Sequence, residues 1–155
     1  MKYLLFFLSS ICFTSCNLDD KEQFIIDTAV DISIKDNGGN DLLSTDNSIS
    51  LNQNEFKIFY EINGEKIEVN NGNLDHSKGF FVYQHENEYR VKIFPNSDIK
   101  ASEPITYIKW NETDIDTLRC EIERNENSEV CKKVWLNDKL VWQAYDTERY
   151  FEIIK

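Results

Sequence analysis

An all-β sandwich is the fold this sequence predicts, and three observations predict it. Short segments of alternating apolar and polar residues recur along the chain, and clusters of Asn, Asp and Gly separate them. Beyond the N-terminal segment no stretch carries a sustained apolar stripe at helical spacing with caps at its ends. Alternation places every second side chain on a core, and Asn-Gly or Asn-Asp pairs supply the positive φ that tight hairpins need. About nine or ten strands result, so the expectation is a single antiparallel β-sandwich of immunoglobulin-like type over residues 25–155. An antiparallel β-barrel is the alternative.

The elements follow in order. Ile26, Thr28, Val30, Ile32 and Ile34 alternate with polar partners, and Asp36-Asn37-Gly38-Gly39-Asn40-Asp41 ends that strand as a turn. Phe56, Ile58, Tyr60 and Ile62 form the next apolar face, followed by Asn63-Gly64. A two-residue turn there pairs Ile62 with Glu65, Tyr60 with Ile67 and Ile58 with Val69, so turn chemistry and pattern agree. A second hairpin joins 79–84 to 88–94 across Glu86-Asn87. It sets Phe80 and Val82 against Ile93 and Val91 on one face, and Phe81 and Tyr83 against Lys92 and Arg90 on the other. Pro104 blocks a helix, and Ile105–Trp110 and Leu118–Glu123 read as strands around Asn111-Glu112-Thr113-Asp114. Val130–Leu136 and Lys139–Gln143 form a hairpin about Asn137-Asp138, pairing Trp135 with Leu140 and Lys133 with Trp142. Tyr150–Ile154 is the last strand.

The N-terminal residues read differently. Lys2 gives a positive start, and the apolar stretch from Tyr3 to Phe13 is too short to span a bilayer, which takes about 20 residues. Thr14-Ser15-Cys16 then precedes the polar run Asn17-Leu18-Asp19-Asp20-Lys21-Glu22. Residues 1–15 are therefore expected to be a cleaved signal peptide, Cys16 the lipidated residue, and 16–24 a flexible tether. Cys12 follows the β-branched Ile11 and suits the peptidase less well than Cys16, which follows small Ser15. A secreted protein without lipid is the competing reading. Buried methylenes contribute about 0.8 kcal/mol each, so two or more acyl chains on Cys16 would hold the domain at a membrane without help from its surface.

Charge and cysteine usage bound the partners. None of the 28 acidic residues and only Lys2 of the 17 basic ones lies within 1–15. The processed chain thus carries 16 basic against 28 acidic residues, a net charge of −12. That balance opposes binding to nucleic acid or anionic lipid. Aromatic residues at 13% argue against disorder. With Cys16 acylated, Cys120 and Cys131 form an even pair in an oxidising compartment, and a disulfide between them is expected, worth about 3 kcal/mol in the chain-entropy model. Free thiols and a two-cysteine metal site are the alternatives, the latter short of further ligands.

The segments Asp31-Ile32-Ser33-Ile34-Lys35-Asp36 with Gly39-Asn40-Asp41-Leu42-Leu43, Phe56–Lys66, Ile105–Leu118 and Val134–Trp142 together resemble uncharacterised lipoproteins of Bacteroidetes-type bacteria. Asp19-Asp20-Lys21-Glu22 is similar to the signal that sends such lipoproteins to the cell surface. The resemblance implies a location in the cell envelope, at the outer membrane, and implies no activity.

Candidate sites are few. Asp75-His76-Ser77 holds the residue types of a hydrolytic triad, but adjacent side chains do not converge as a triad must, and a polar turn explains the tripeptide. The other histidine is His85. Asp36, Asn40 and Asp41, or Asp114 and Asp116, offer oxygen ligands for calcium, yet neither matches an EF-hand loop and turns favour the same residues. Asn111-Glu112-Thr113 fits the N-glycosylation pattern. Trp110, Trp135 and Trp142 would be either core or a platform for a glycan. The expected function is a non-enzymatic, lipid-anchored interaction or accessory module with no cofactor. Its partners would be the membrane through Cys16 and an envelope protein or glycan; a glycan-binding protein using the three tryptophans is the alternative and a hydrolase the third reading.

Overall fold

The computed structural model describes residues 23–46, 48–144 and 147–155. The expected signal peptide, Cys16 and the expected tether up to residue 22 lie outside the described residues. Among the described residues eleven strands form two packed sheets. They are β1 (Ile25–Asp27), β2 (Val30–Lys35), β3 (Lys57–Ile62), β4 (Glu65–Glu68), β5 (Phe80–His85) and β6 (Glu88–Ile93). The chain continues through β7 (Ile105–Lys109), β8 (Ile115–Asn125), β9 (Ser128–Leu136), β10 (Lys139–Gln143) and β11 (Tyr150–Ile154). A seven-stranded sheet runs β1-β9-β8-β7-β3-β4, with β10 on β9 as well, and a four-stranded sheet runs β11-β2-β6-β5. These are two separate sheets rather than one closed barrel.

Local turn chemistry sets the hairpins as predicted. Asn63 and Gly64 both take positive φ (53° and 83°), and Ile62 pairs with Glu65 and Tyr60 with Ile67. The third expected pair appears as a bond from Val69 N to the Ile58 carbonyl at 2.8 Å. Across β5 and β6, Phe80, Phe81, Val82 and Tyr83 meet Ile93, Lys92, Val91 and Arg90, the predicted register.

Three features depart from expectation. The single strand expected over 26–34 is two: β1 pairs β9 in one sheet, β2 joins the other, and the chain crosses between the sheets at Thr28-Ala29. Nor is the sandwich wholly antiparallel, because β1–β9 and β11–β2 are parallel pairs. In the β9–β10 hairpin Leu140 meets Trp135 as expected, but a bulge then sets Trp142 opposite Val134 instead of Lys133. A one-residue slip turns side chains to the other face. Trp142 is therefore buried while Trp135 stays on the outer surface, so the two do not share a face.

The core lies between the sheets, where Ile32, Ile34, Phe56, Ile58, Ile108 and Leu118 are fully enclosed. Phe56 stands edge-on to Trp110 with ring centres 5.1 Å apart. Residues flanking β11 fasten the sheets together. Before it, Arg149 donates to both oxygens of Asp27 (2.8 and 3.1 Å) and lies over Trp142. After it, Lys155 Nζ reaches Asp114 (2.7 Å) and Asp116 (2.9 Å) on the opposite sheet.

Candidate functional site

The surface that stands out begins with an edge strand. β5 reads Phe-Phe-Val-Tyr-Gln-His and closes one side of the four-stranded sheet. Its inward residues Phe80 and Val82 pack on the core. Its outward residues form a row: the Phe81 and Tyr83 rings lie 5.6 Å apart, and Tyr83 and His85 6.3 Å. Lys92 reaches Asp31 (3.2 Å) beneath the row and lies 5.6 Å from the Tyr83 ring. Burial and a hydrogen bond to Asp31 push the Tyr83 hydroxyl up to about 12. The expected aromatic–cation face is present, half-covered by its own salt bridges.

The loop before β5 extends the row. Asn71 N donates to the Ser77 carbonyl (2.8 Å) and Gly79 N to the His76 carbonyl (2.9 Å), folding the loop back on itself. Gly79 has φ 77°, and a Cβ there would stand 3.0 Å from Val69 Cγ1; conformation and space both demand glycine. This fold lays the His76 ring on Phe81, with centres 4.0 Å apart and planes 21° from parallel, and 5.7 Å from Phe94. Beneath the loop is a cavity of about 380 Å³ lined by Tyr60, Val69, Asn71, Leu74, Asp75, His76, Gly79 and Phe94. Tyr60 Oη donates to the Phe94 carbonyl at 2.7 Å, and burial pushes its pKa up to about 12. This cleft can take a bulky apolar side chain or ring.

The structure disperses the residues singled out in the sequence. His76 and His85 make ring contacts, and among the described residues neither makes a side-chain hydrogen bond, so the triad residues do not converge. Trp110 is 0% exposed and Trp142 8%, so both belong to the core and only Trp135 is left to face outward. Arg119 covers that ring at 4.2 Å and pairs with Glu103. The three tryptophans form no shared platform.

The acidic turns are satisfied from within. Asp36 accepts from Gly38 N, Asn40 N and Asn40 Nδ2, all at 2.8 Å, and Asp41 accepts from Leu43 N and Tyr89 N. Asp116 accepts from Trp110 Nε1 (2.6 Å), Asn137 Nδ2 (2.6 Å) and Lys155 Nζ (2.9 Å). Burial works to raise its pKa, but those three donors prevail and hold it below the usual carboxylate value. Among the described residues no group of three or more His, Cys, Asp or Glu side chains is placed to hold a metal. Asn111 accepts from Thr113 N and Asp114 N within its own turn.

The expected disulfide is a correction. Cys120 and Cys131 are both buried and free, and they lie 4.1 Å apart against about 2.05 Å for a sulfur–sulfur bond. The register of the β8–β9 hairpin, which turns at residues 126–127, sets Cys120 opposite Val134 and Cys131 opposite Ile122, so the two are diagonal rather than facing. Hydrogen bonding to Cys131, together with burial, holds the Cys120 thiol up.

Sequence reasoning found the Phe81–Tyr83 face but missed its position at a sheet edge, which depends on strand order. It also read the 70–79 loop only as a polar turn. Gly79 directly before an aromatic strand was the available signal. Neither a protein-family model nor a curated protein nor a solved structure matches this chain.

Proposed function

We propose that this protein is a lipid-anchored interaction module of the cell envelope, non-enzymatic, with strand β5 and the adjoining aromatic cleft as its working surface. The observation that carries the reading is the composition of that edge. β5 has no Asp, Glu, Lys or Arg over six residues, whereas proteins normally protect an open edge with charge. An extended partner strand would gain main-chain hydrogen bonds along β5 and place a side chain in the cleft. Cys16 would hold the module at the outer membrane, a role that the −12 charge of the processed chain leaves to the lipid alone. An immunoglobulin-like connection of the strands belongs to the same proposal.

Two measurements test it. Cys16→Ser should release the protein from membranes, and continued membrane partitioning would remove the anchor from the account. Proximity labelling in the native envelope, comparing wild type with Phe81→Glu, should lose a defined subset of neighbours. An unchanged set would mean that β5 is not the working surface.

A further inference from the structure

We propose that the partner strand on β5 is β5 of a second copy, joined antiparallel about a two-fold axis at Val82. This deepens the preceding reading and rests on β5 being the working surface.

Backbone parity fixes what the edge offers. Phe94 N bonds the Gly79 carbonyl at 2.9 Å, so Phe81, Tyr83 and His85, at every second residue after it, direct their backbone groups at β6. Phe80, Val82 and Gln84 therefore direct theirs outward, giving three N–H and three C=O groups on the free edge. Antiparallel pairing of β5 with itself satisfies all six only when Val82 meets Val82 of the other copy and Phe80 meets Gln84. A shift by two residues in either direction leaves one residue of the three unpaired on each copy. The same register sets Phe81 beside Tyr83 of the other copy, carrying the His76–Phe81–Tyr83 row across the axis. Aromatic cross-strand pairs of this kind are favourable.

Charge selects the same register. Lys78 and Glu86 flank β5, both are exposed, and among the described residues neither belongs to an ion pair. Two-fold pairing at Val82 brings the turn that carries Lys78, just before β5, to the same end of the paired strands as the turn that carries Glu86 of the other copy, and the reverse at the far end. Two strongly acidic molecules thus meet along an uncharged strand bounded at each end by opposite charges. The other edge strands lack this property: β1, β4, β10 and β11 carry Asp27; Glu65, Lys66 and Glu68; Lys139; and Glu152. A single strand pair is small against the roughly 1,200 Å² of a stable interface, and confinement at a membrane would raise the effective concentration.

Zero-length carbodiimide crosslinking of the full chain tests this, with the chain held in phosphatidylcholine vesicles or, where no lipid is attached, in concentrated solution. The expected product is a dimer with a Lys78–Glu86 link. The ends of β5, Phe80 and His85, stand roughly 17 Å apart within one copy, farther than the Lys78 and Glu86 side chains can bridge, so that link arises only between copies. Lys78→Glu and Glu86→Lys should each lower dimer yield by about tenfold or more, and the double variant should restore it. Absence of the link, indifference to either single reversal, or failure of the double variant to recover would overturn the inference. Loss of labelled neighbours in Phe81→Glu alongside a monomeric chain would also overturn it, while leaving β5 as a surface for another protein.

Discussion

Two of the edge strands, β4 and β5, are built on opposite rules. β4 reads Glu-Lys-Ile-Glu, is exposed throughout, and carries a charge at three of four positions; Lys57 pairs with Glu68, and Lys66 lies 3.6 Å over the Tyr107 ring. β5 is longer, uncharged and half-buried under its own aromatic row. Any incoming strand at β4 would have to desolvate charges, whereas at β5 it would meet open backbone groups and rings. One edge is closed to pairing by its side chains and the other is open. That asymmetry is the strongest functional statement the fold makes.

The largest effect expected separates the two sides of β5 itself. Proline at Tyr83 removes an N–H that bonds β6 and should cost about 3 kcal/mol or more in chemical denaturation. Proline at Gln84, one residue on, removes an outward N–H from an exposed position. It should cost less than about 1 kcal/mol, yet abolish partner or self-pairing. Equal costs at the two positions would break the assignment of parity.

A control remote from both edges comes next. Asp116→Ala leaves the Trp110 N–H and the Lys155 ammonium without their buried acceptor and should destabilise by about 3 kcal/mol, with association through β5 unchanged. Asp116 also predicts a pH dependence. Its folded pKa lies below the unfolded value near about 3.9, so its contribution is complete above that value and is lost as pH falls through the folded one. Acid unfolding of wild type and Asp116→Asn should therefore converge at low pH.

Stripping charge from the other edge is a smaller change. Lys66→Thr with Glu68→Thr should alter stability by about 1 kcal/mol or less but create concentration-dependent association at β4, visible by sedimentation. A chain that stays dispersed would show that charge is not what closes that edge. Smallest is the effect of reductant: Cys120 and Cys131 should both titrate as thiols in denaturant, and melting should be the same with and without reductant.

How much of this was legible in the sequence follows from the range of each interaction. Asn63-Gly64 and Asn137-Asp138 act over a few residues, and their hairpins were readable to the residue pair at the turn. The β5–β6 register was equally local. The crossing at Thr28-Ala29 was not, because the alternation over 26–34 looks the same whether one sheet or two receives it. The bulge beside Val141, which reversed the face of Trp142, depends on packing across the sheets, and the diagonal offset of Cys120 and Cys131 depends on the β8–β9 hairpin turning at residues 126–127. For the candidate site, the rings were visible but the edge was not, since β5 becomes an edge only through the order β11-β2-β6-β5.

Residue-resolved hydrogen exchange on β5 tests the central claim most directly. In dilute solution the amides of Phe81 and Tyr83 should be protected by β6, while those of Phe80, Val82 and Gln84 exchange freely. In the native envelope or at high concentration, the second set should gain protection and the first stay as it was. If Phe80, Val82 and Gln84 exchange at the same rate in both states, β5 is not a pairing edge and the account fails.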